Sequence, residues 1–332
     1  MKIEVYDRFK GYDKDHCWQY QIRVENLEKD LQKAQLTHEE ANRLKTSDFD
    51  FEAVIRPEKV ERPKGNEDKR AYVEYLKLKQ HCQEQCDEVR DFIYEHEWLG
   101  KMPNRPTHRF TARLKKNGAI AGVIVMATPN AFSHVLGKEN IGKEKLISRG
   151  ACISWSPKNL GSWLIMKSVK WMVRNTEFRA FSSYSDPEAK ELGTLYQACN
   201  FYYLGCGNGV TKQYFDPSNI KQGWFSDREF RKKSKYFMYA ERLGISKEQW
   251  KKWMKRYSPD WTLVPPDIKT KIKAEEKKYR QSCQYREVVS KHKYIYILGR
   301  SKKETKRLRK LFFKHNPKLK GNEFDYPTER GK

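Results

Sequence analysis

From Arg109 onward the chain alternates. RFTARLKKNGAIAGVIVMATP runs apolar and polar by turns, breaks at Asn117-Gly118 and resumes as an apolar run. An Asn-Gly pair between two such runs predicts a β-hairpin. LISRGACISW, residues 146–155, predicts a third strand. SPKNLGSWLIMKSVKWMVRN then predicts a loop, a glycine turn and an amphipathic helix. FRAFSSYSD predicts a strand, PEAKELGTLYQACN a short helix, FYYLGCG another strand and KYIYILG (293–299) the last one. Upstream, Ile3, Val5, Trp18, Tyr20, Ile22 and Val24 alternate in part and predict one or two strands within 1–25. Residues 26–50 and 71–98 predict helices, and RPEKVERPKGNEDKR before the second reads as a Pro-rich charged linker. A Lys/Arg-rich, mostly helical segment is predicted over 207–290, and a basic helix and tail after the last strand.

Strands and helices mixed in this order predict an α/β fold, a mixed central sheet flanked by helices. Four stretches follow: 1–100, N-terminal strands and a helical insertion packed on the core; 101–206, the catalytic core; 207–290, a basic helical insertion before the last strand; and 291–332, that strand with a basic helix and tail.

Composition narrows the class. With 38% hydrophobic and 13% aromatic residues among 332, the chain can build a core, which excludes global disorder. No apolar run approaches the ~20 residues of a membrane helix, and the N-terminus has no signal-peptide apolar stretch, so a cytoplasmic protein is expected. Seven cysteines at irregular spacing suit a reducing compartment. His81, Cys82 and Cys86 fall on one predicted helix, but no second ligand pair accompanies them, and no metal is predicted. The net charge is +25, unevenly placed: 34 basic and 29 acidic residues lie in 1–200, against 34 and 14 in 201–332. Such a surplus on a folded chain implies a polyanion, nucleic acid first. No strongly apolar face accompanies the charge, which disfavours a membrane surface.

Three local patterns carry chemistry. Lys158, Asn159 and Gly161 lie between a strand and a helix, where backbone amides can hold a phosphate, or simply form a capped turn. Asp186, in SYSDP, closes a strand at the end that faces the ligand crevice of an open α/β sheet, or else caps the next helix. Tyr196, in GTLYQACNFYYLG, is a phenol that stays protonated at neutral pH and can protonate a leaving group, or else a core tyrosine.

Taken together, LISRGACISW, NLGSWLIMKSVKWM, FSSYSDP, GTLYQACNFYYLG and KYIYILG resemble the bacteriophage Mom-type DNA-modification family. That resemblance implies a GNAT-type N-acyltransferase fold and the attachment of a small amide-bearing group to adenine in DNA. It implies catalytic roles for Arg149, Asp186 and Tyr196, and for a serine on the following helix, either Ser162 or Ser168. Arg149 would hold a donor phosphate or carboxylate, Asp186 accept the proton of the attacking amine, and Tyr196 protonate the leaving group. Trp155, Tyr184, Tyr202 and Tyr203 are candidates for stacking on a flipped base. The usual glycine-rich acyl-CoA loop is reduced to Lys158-Asn159-Leu160-Gly161. The donor is therefore left open between an acyl-CoA such as acetyl-CoA and an aminoacyl-tRNA.

In the insertion, Ala240, Gly244 and Trp250 have the spacing of a helix-turn-helix. Its second helix, KEQWKKWMKR, offers Lys251, Lys252, Lys255 and Arg256 to DNA phosphates, and Lys302, Lys303, Lys306, Arg307, Arg309 and Lys310 form a second basic helix. Two rival functions remain. An acetyltransferase for a protein or small amine would carry an intact CoA loop and no basic insertion. A non-catalytic DNA-binding protein would have lost the Arg-Asp-Tyr set.

Overall fold

The computed structural model describes residues 18–63, 69–189, 191–207 and 210–328. They fall into two compact units, 1–207 with 291–332, and 208–290.

The first unit is a seven-stranded mixed sheet in the order β1-β2-β3-β4-β5-β10-β6. Its strands are β1 Phe49–Val54, β2 Pro106–Leu114, β3 Ile120–Ala127, β4 Glu144–Cys152, β5 Ala180–Ser185, β6 Tyr202–Cys206 and β10 His292–Ile297. Helices α1 Trp18–Lys33, α2 His38–Arg43, α3 Lys69–His96, α4 Leu160–Asn175, α5 Thr194–Ala198 and α9 Lys302–His315 accompany it. The expected mixed sheet flanked by helices is present. The hairpin turns where predicted, with Gly118 at φ 74° and Asn117 Oδ1 accepting the Ala119 amide at 3.1 Å.

The strand expected over residues 18–25 is a helix instead. Residues 1–17 lie outside the described residues, and α1 begins at Trp18. The two-residue alternation from Trp18 to Val24 continues into Leu27, Leu31 and Ala34, all buried, and this spacing of three to four is helical. Conversely, β1 begins at the end of the 26–50 stretch expected to be helical and runs on through residues with no expected element. Phe49, Phe51 and Ala53 alternate with Asp50, Glu52 and Val54, and β1 pairs antiparallel with β2 from Phe49↔Leu114 to Val54↔Arg109. Cys82 and Cys86 are free thiols buried on α3, with His81 exposed, so the helix turns its sulfurs inward.

β6 and β10 are antiparallel neighbours, and the second unit is spliced between them. This unit is not mostly helical. It contains a three-stranded sheet, β8-β7-β9, from β7 Val210–Phe215, β8 Phe225–Ser226 and β9 Gln284–Val289. Helices α6 Lys233–Arg242, α7 Lys247–Trp253 and α8 Pro266–Ser282 complete it. Phe230, Tyr239, Trp250 and Ile272 fill its own core. Aromatic and β-branched residues at β7 and β9 are spaced too irregularly among charges for the alternation to be read. Among the described residues no helix is long and apolar enough to cross a membrane.

Candidate active site

Two features of the sheet open a cleft. β4 and β5 are parallel, but their ladder has only three pairs, Glu144↔Ala180, Lys145↔Phe181 and Leu146↔Ser182. Beyond Leu146 the strands part, and their C-terminal halves no longer share hydrogen bonds. In an open α/β sheet this is where ligands enter. The second feature is a bulge in β4. Met126 faces Ile147 while Val125 faces Arg149, so Ser148 is the extra residue. The bulge turns Arg149 to the sheet face opposite Ile147.

Arg149 is fixed there. Nε donates to the Lys101 carbonyl at 2.9 Å and Nη1 to that of Ser148 at 2.7 Å, with Glu97 Oε2 3.9 Å from Nε. Glu97 follows α3 directly. Burial raises its carboxyl above the ordinary range, and the Arg149 charge opposes that rise.

β5 delivers Asp186 at its end. Oδ1 accepts the Glu188 amide at 3.1 Å, a local cap, and Oδ2 pairs with Lys291 at 2.7 Å. Both oxygens are therefore engaged. The Asp186 amide in turn donates to Glu191 Oε2 at 3.0 Å. Glu191 is the residue that the sequence reading missed. Burial pushes its carboxyl up to about 7, and the charges of Asp186 and Glu97 add to the rise. A carboxyl at that value exists as acid and base in comparable amounts at neutral pH. No spacing rule marks it, because a lone glutamate before Leu-Gly carries no signature.

Tyr196, on α5, is packed between Phe201 and Tyr294, with ring centroids 5.4 and 5.5 Å away. Burial, and then the Glu191 charge, raise its phenol far above the usual range. It remains a proton donor at any ordinary pH. Ser183 and Ser185 pair with Tyr294 and His292 across β5 and β10 and so share their face. Ser183 lies near enough to the Tyr196 phenol to favour its ionised form, yet neither buried serine hydroxyl makes a hydrogen bond of ordinary geometry. Unsatisfied buried hydroxyls call for a partner, and a bound substrate can supply one. Glu97, Arg149, Asp186, Glu191, Tyr196 and Lys291 thus form one electrostatically connected group beside the strand split.

Gly193 starts α5 at φ 70°, and a Cβ there would stand 2.5 Å from the Tyr294 ring. Tyr294 is held from below, its hydroxyl donating to the Leu192 carbonyl. Gly193→Ala is therefore expected to destabilise the fold by about 2–4 kcal/mol, summing left-handed strain and overpacking. Urea unfolding measures it, and an unchanged midpoint would show that Tyr294 yields freely.

A family comparison now bears on this group. Residues 83–318 match the Mom protein family. The chain belongs to that family. The match spans both units and includes Arg149, Asp186, Glu191 and Tyr196. No curated protein matches the chain significantly. Among solved structures, a ribosomal-protein-S5-alanine acetyltransferase from Vibrio fischeri is similar at 12% identity, over 47% of this chain and 81% of that one, with a TM-score of 0.27.

Other residues named from the sequence fall elsewhere. Ser168 is fully buried in α4 and donates to the Leu164 carbonyl at 2.8 Å, so it does not face the cleft. Ser162 lies at the start of α4 and donates to the Asn159 carbonyl at 3.0 Å. Lys158 and Asn159 are exposed, and Asn159 adopts φ 69° without capping the helix. A Cβ on Gly161 would meet Leu195 at 3.0 Å, so that glycine admits α5 rather than leaving a pyrophosphate cradle. Trp155 is fully buried, with Nε1 donating to the Asp30 carbonyl, and Tyr202 is buried on Phe312. Neither can stack on a base. Tyr203 hydrogen-bonds His292 Nδ1 at 2.8 Å, and Tyr184 is the exposed member of the set at 38%.

In the second unit, Ala240 and Trp250 are buried and Gly244 turns at φ 72° between α6 and α7. α7 ends at Trp253, however. Lys251 and Lys252 are exposed on it, whereas Lys255 and Arg256 follow it, Lys255 paired with Asp260 at 3.0 Å. On α9, Lys302, Lys303, Lys306, Arg307, Arg309 and Lys310 are all exposed. The single acid of that helix, Glu304, turns inward to Arg179 at 2.9 Å. Among the described residues, Asp30, Glu95 and His96 could together approach a metal ion, but Lys29 and Lys33 already hold Glu95 at 2.6 and 3.1 Å.

Proposed function

We propose that the chain is a DNA-modifying transferase that attaches a small acyl or aminoacyl-derived group to a DNA base, adenine first. What carries this reading is the convergence of Arg149, Asp186, Glu191 and Tyr196 on the β4–β5 split in a member of the Mom family. The expected GNAT-type acyl transfer is supported by the parted parallel strands, whose unpaired edges suit an extended amide-bearing donor.

The chemistry assigns itself by protonation state. The exocyclic amine attacks the carbonyl carbon of the donor, a C–N bond forms, and the donor's C–S or C–O bond breaks. Glu191, with its carboxyl at about 7, takes the amine proton. Tyr196 gives its proton to the departing sulfur or oxygen. Asp186 and Lys291 hold the Glu191 segment in place, because the Asp186 amide donates to Glu191. This moves the base role from Asp186, whose oxygens are engaged, to its neighbour. Arg149 keeps Nη2 outside the hydrogen bonds of its other nitrogens and can meet a carboxylate or phosphate.

The donor is an acyl-CoA or, alternatively, an aminoacyl-tRNA. Either would supply the activated carbonyl. The start of α4 has no acidic residue and Lys158 stands before it, but Leu195 packs against Gly161, so it offers a phosphate less than the usual CoA loop does. Double-stranded DNA suits the basic α9 and α7 surfaces. Nucleosides from DNA of expressing cells, digested and weighed by mass spectrometry, test the proposal. A modified adenine is expected. Only four ordinary nucleosides, with soluble protein and infected-cell extract supplied as donor source, would refute it.

A further inference from the structure

We propose a second ligand site at the opposite end of β4 from the cleft, where Lys145, His108, Arg56 and Lys59 together bind a phosphate group. Register places it. His108 on β2 faces Met126, which faces Ile147 on β4, and Lys145 lies two residues before Ile147, so both side chains share one sheet face. Both pack on Phe178. Lys145 Nζ is 4.5 Å from that ring centroid, and the His108 ring is 6.3 Å from it and 6.1 Å from Trp171. Arg56 follows β1, and Lys59 ends the short 3-10 turn after it.

The odd feature is charge without countercharge. Lys145 is 4% exposed, yet among the described residues it, Arg56 and Lys59 form no salt bridge. The neighbouring acids are otherwise placed. Glu144 points to the other face and accepts the Ser133 amide at 2.7 Å, Glu177 is held by Arg300 at 2.8 Å, and Glu58 is exposed on its turn. A largely buried ammonium that feels a guanidinium and no acid is costly unless an anion joins it. The aromatic ring offsets part of that cost for Lys145, whereas Arg56 is half-buried and Lys59 exposed.

The groups also record the missing charge. Burial, then Lys145, Arg56, Lys59 and Arg109, push His108 down to about 4, and burial with Arg56 brings Lys145 down to about 8. Thr107 Oγ1 donates to the Met126 carbonyl, so His108 Nδ1 carries the proton that it gives to Thr107, and Nε2 is left without one. A tetrahedral phosphate group would accept from Lys145 and Arg56 and let a protonated Nε2 become a donor as well. Phosphate, with several acceptor oxygens, matches this spread of donors better than one carboxylate. The ligand is either a free phosphate-bearing molecule or the phosphate backbone of nucleic acid.

Titrating inorganic phosphate into the full chain at pH 7, against chloride of equal ionic strength, tests the site. Phosphate is expected to raise Tm and to move the His108 NMR titration midpoint upward from about 4. Lys145→Met and Arg56→Gln should each weaken phosphate binding at least about tenfold. Arg56→Gln, at a partly exposed position, carries the test if Lys145→Met does not fold. A second arm measures a short duplex with Arg56→Gln/Lys59→Gln. Weakened duplex binding identifies backbone phosphate as the ligand. Unchanged duplex binding by this variant, with its phosphate binding lost, identifies a free phosphate ligand, and phosphate binding that survives in the variant overturns the site. If phosphate moves neither Tm nor His108 in the wild type, and Lys145→Met simply raises Tm, the site does not exist.

Discussion

Glu191→Gln is expected to lower base modification by at least about 10²-fold while leaving DNA affinity unchanged, and to abolish the rise of rate with pH that the wild type shows below neutrality. The size follows from the loss of a positioned base. The sign follows from its titration. Glu191 acts as a base when ionised, and its folded value of about 7 places that change within the assay range, so the rate should climb about tenfold per pH unit below 7 and level above it. Stability should run the other way. A carboxyl raised above its unfolded value contributes stability while protonated, fully below the unfolded value near 4.5, and loses it as pH rises through 7. Wild type should therefore lose up to about 3 kcal/mol of stability across that window, and Glu191→Gln should not. Tyr196→Phe is expected to cost a similar factor in rate with little change in melting, since the ring that packs on Phe201 and Tyr294 is kept. Asp186→Asn separates the assignments. Asparagine can still accept the Glu188 amide but loses the ion pair to Lys291, so a positioning role predicts a smaller loss and a shifted pH profile. If Asp186→Asn abolishes activity while Glu191→Gln keeps it and its pH dependence, the base is Asp186 and the proposed roles are exchanged.

These roles show where sequence reasoning reached and where it stopped. The hairpin of β2 and β3 was legible because Asn117-Gly118 interrupts a two-residue period, and α4 because its apolar positions recur at helical spacing. Arg149 is named through the family resemblance, but its sheet face depends on a bulge at Ser148, and a one-residue slip leaves no mark in composition. Glu191 was missed for a different reason. Its raised carboxyl arises from burial and from Asp186 and Glu97, and Glu97 is separated from it by most of the core sequence. Such coupling exists only once α3 packs beside the parted strands. Trp155 and Tyr202 failed as base-stacking candidates because aromatic content alone cannot tell core from cleft. Residues 18–24 looked like a strand because a short alternating run fits both periods until Leu27, Leu31 and Ala34 settle it. The basic surplus was legible in amount but not in place. Of the excess in 201–332, half belongs to 208–290, with 20 basic and 10 acidic residues, and half to 291–332, with 14 and 4.

That division leads to the DNA interface, where α9 is expected to dominate. Lys302, Lys303, Lys306 and Arg307 stand exposed on one helix, and Glu304 is drawn inward by Arg179, so no acid on α9 offsets them. The helix itself is anchored: Leu308 and Phe312 are buried, and Ser301 caps it by accepting the Glu304 amide at 3.1 Å. Replacing the four cations with glutamine should therefore leave the fold intact. Each phosphate contact contributes about 0.9 to the slope of log K against log salt, so losing four should flatten the slope by about 3.6 and weaken binding about 10³-fold at 0.1 M salt. Lys251→Gln/Lys252→Gln on α7 should flatten it by at most about 1.8, and adding Lys255→Gln should change little, because Asp260 already neutralises that lysine. Fluorescence anisotropy of a labelled duplex across a salt series measures both sets. A slope that is untouched by the α9 set but collapses with the α7 pair would place the interface on the second unit. Equal, additive losses from both would mean that the duplex contacts both units at once.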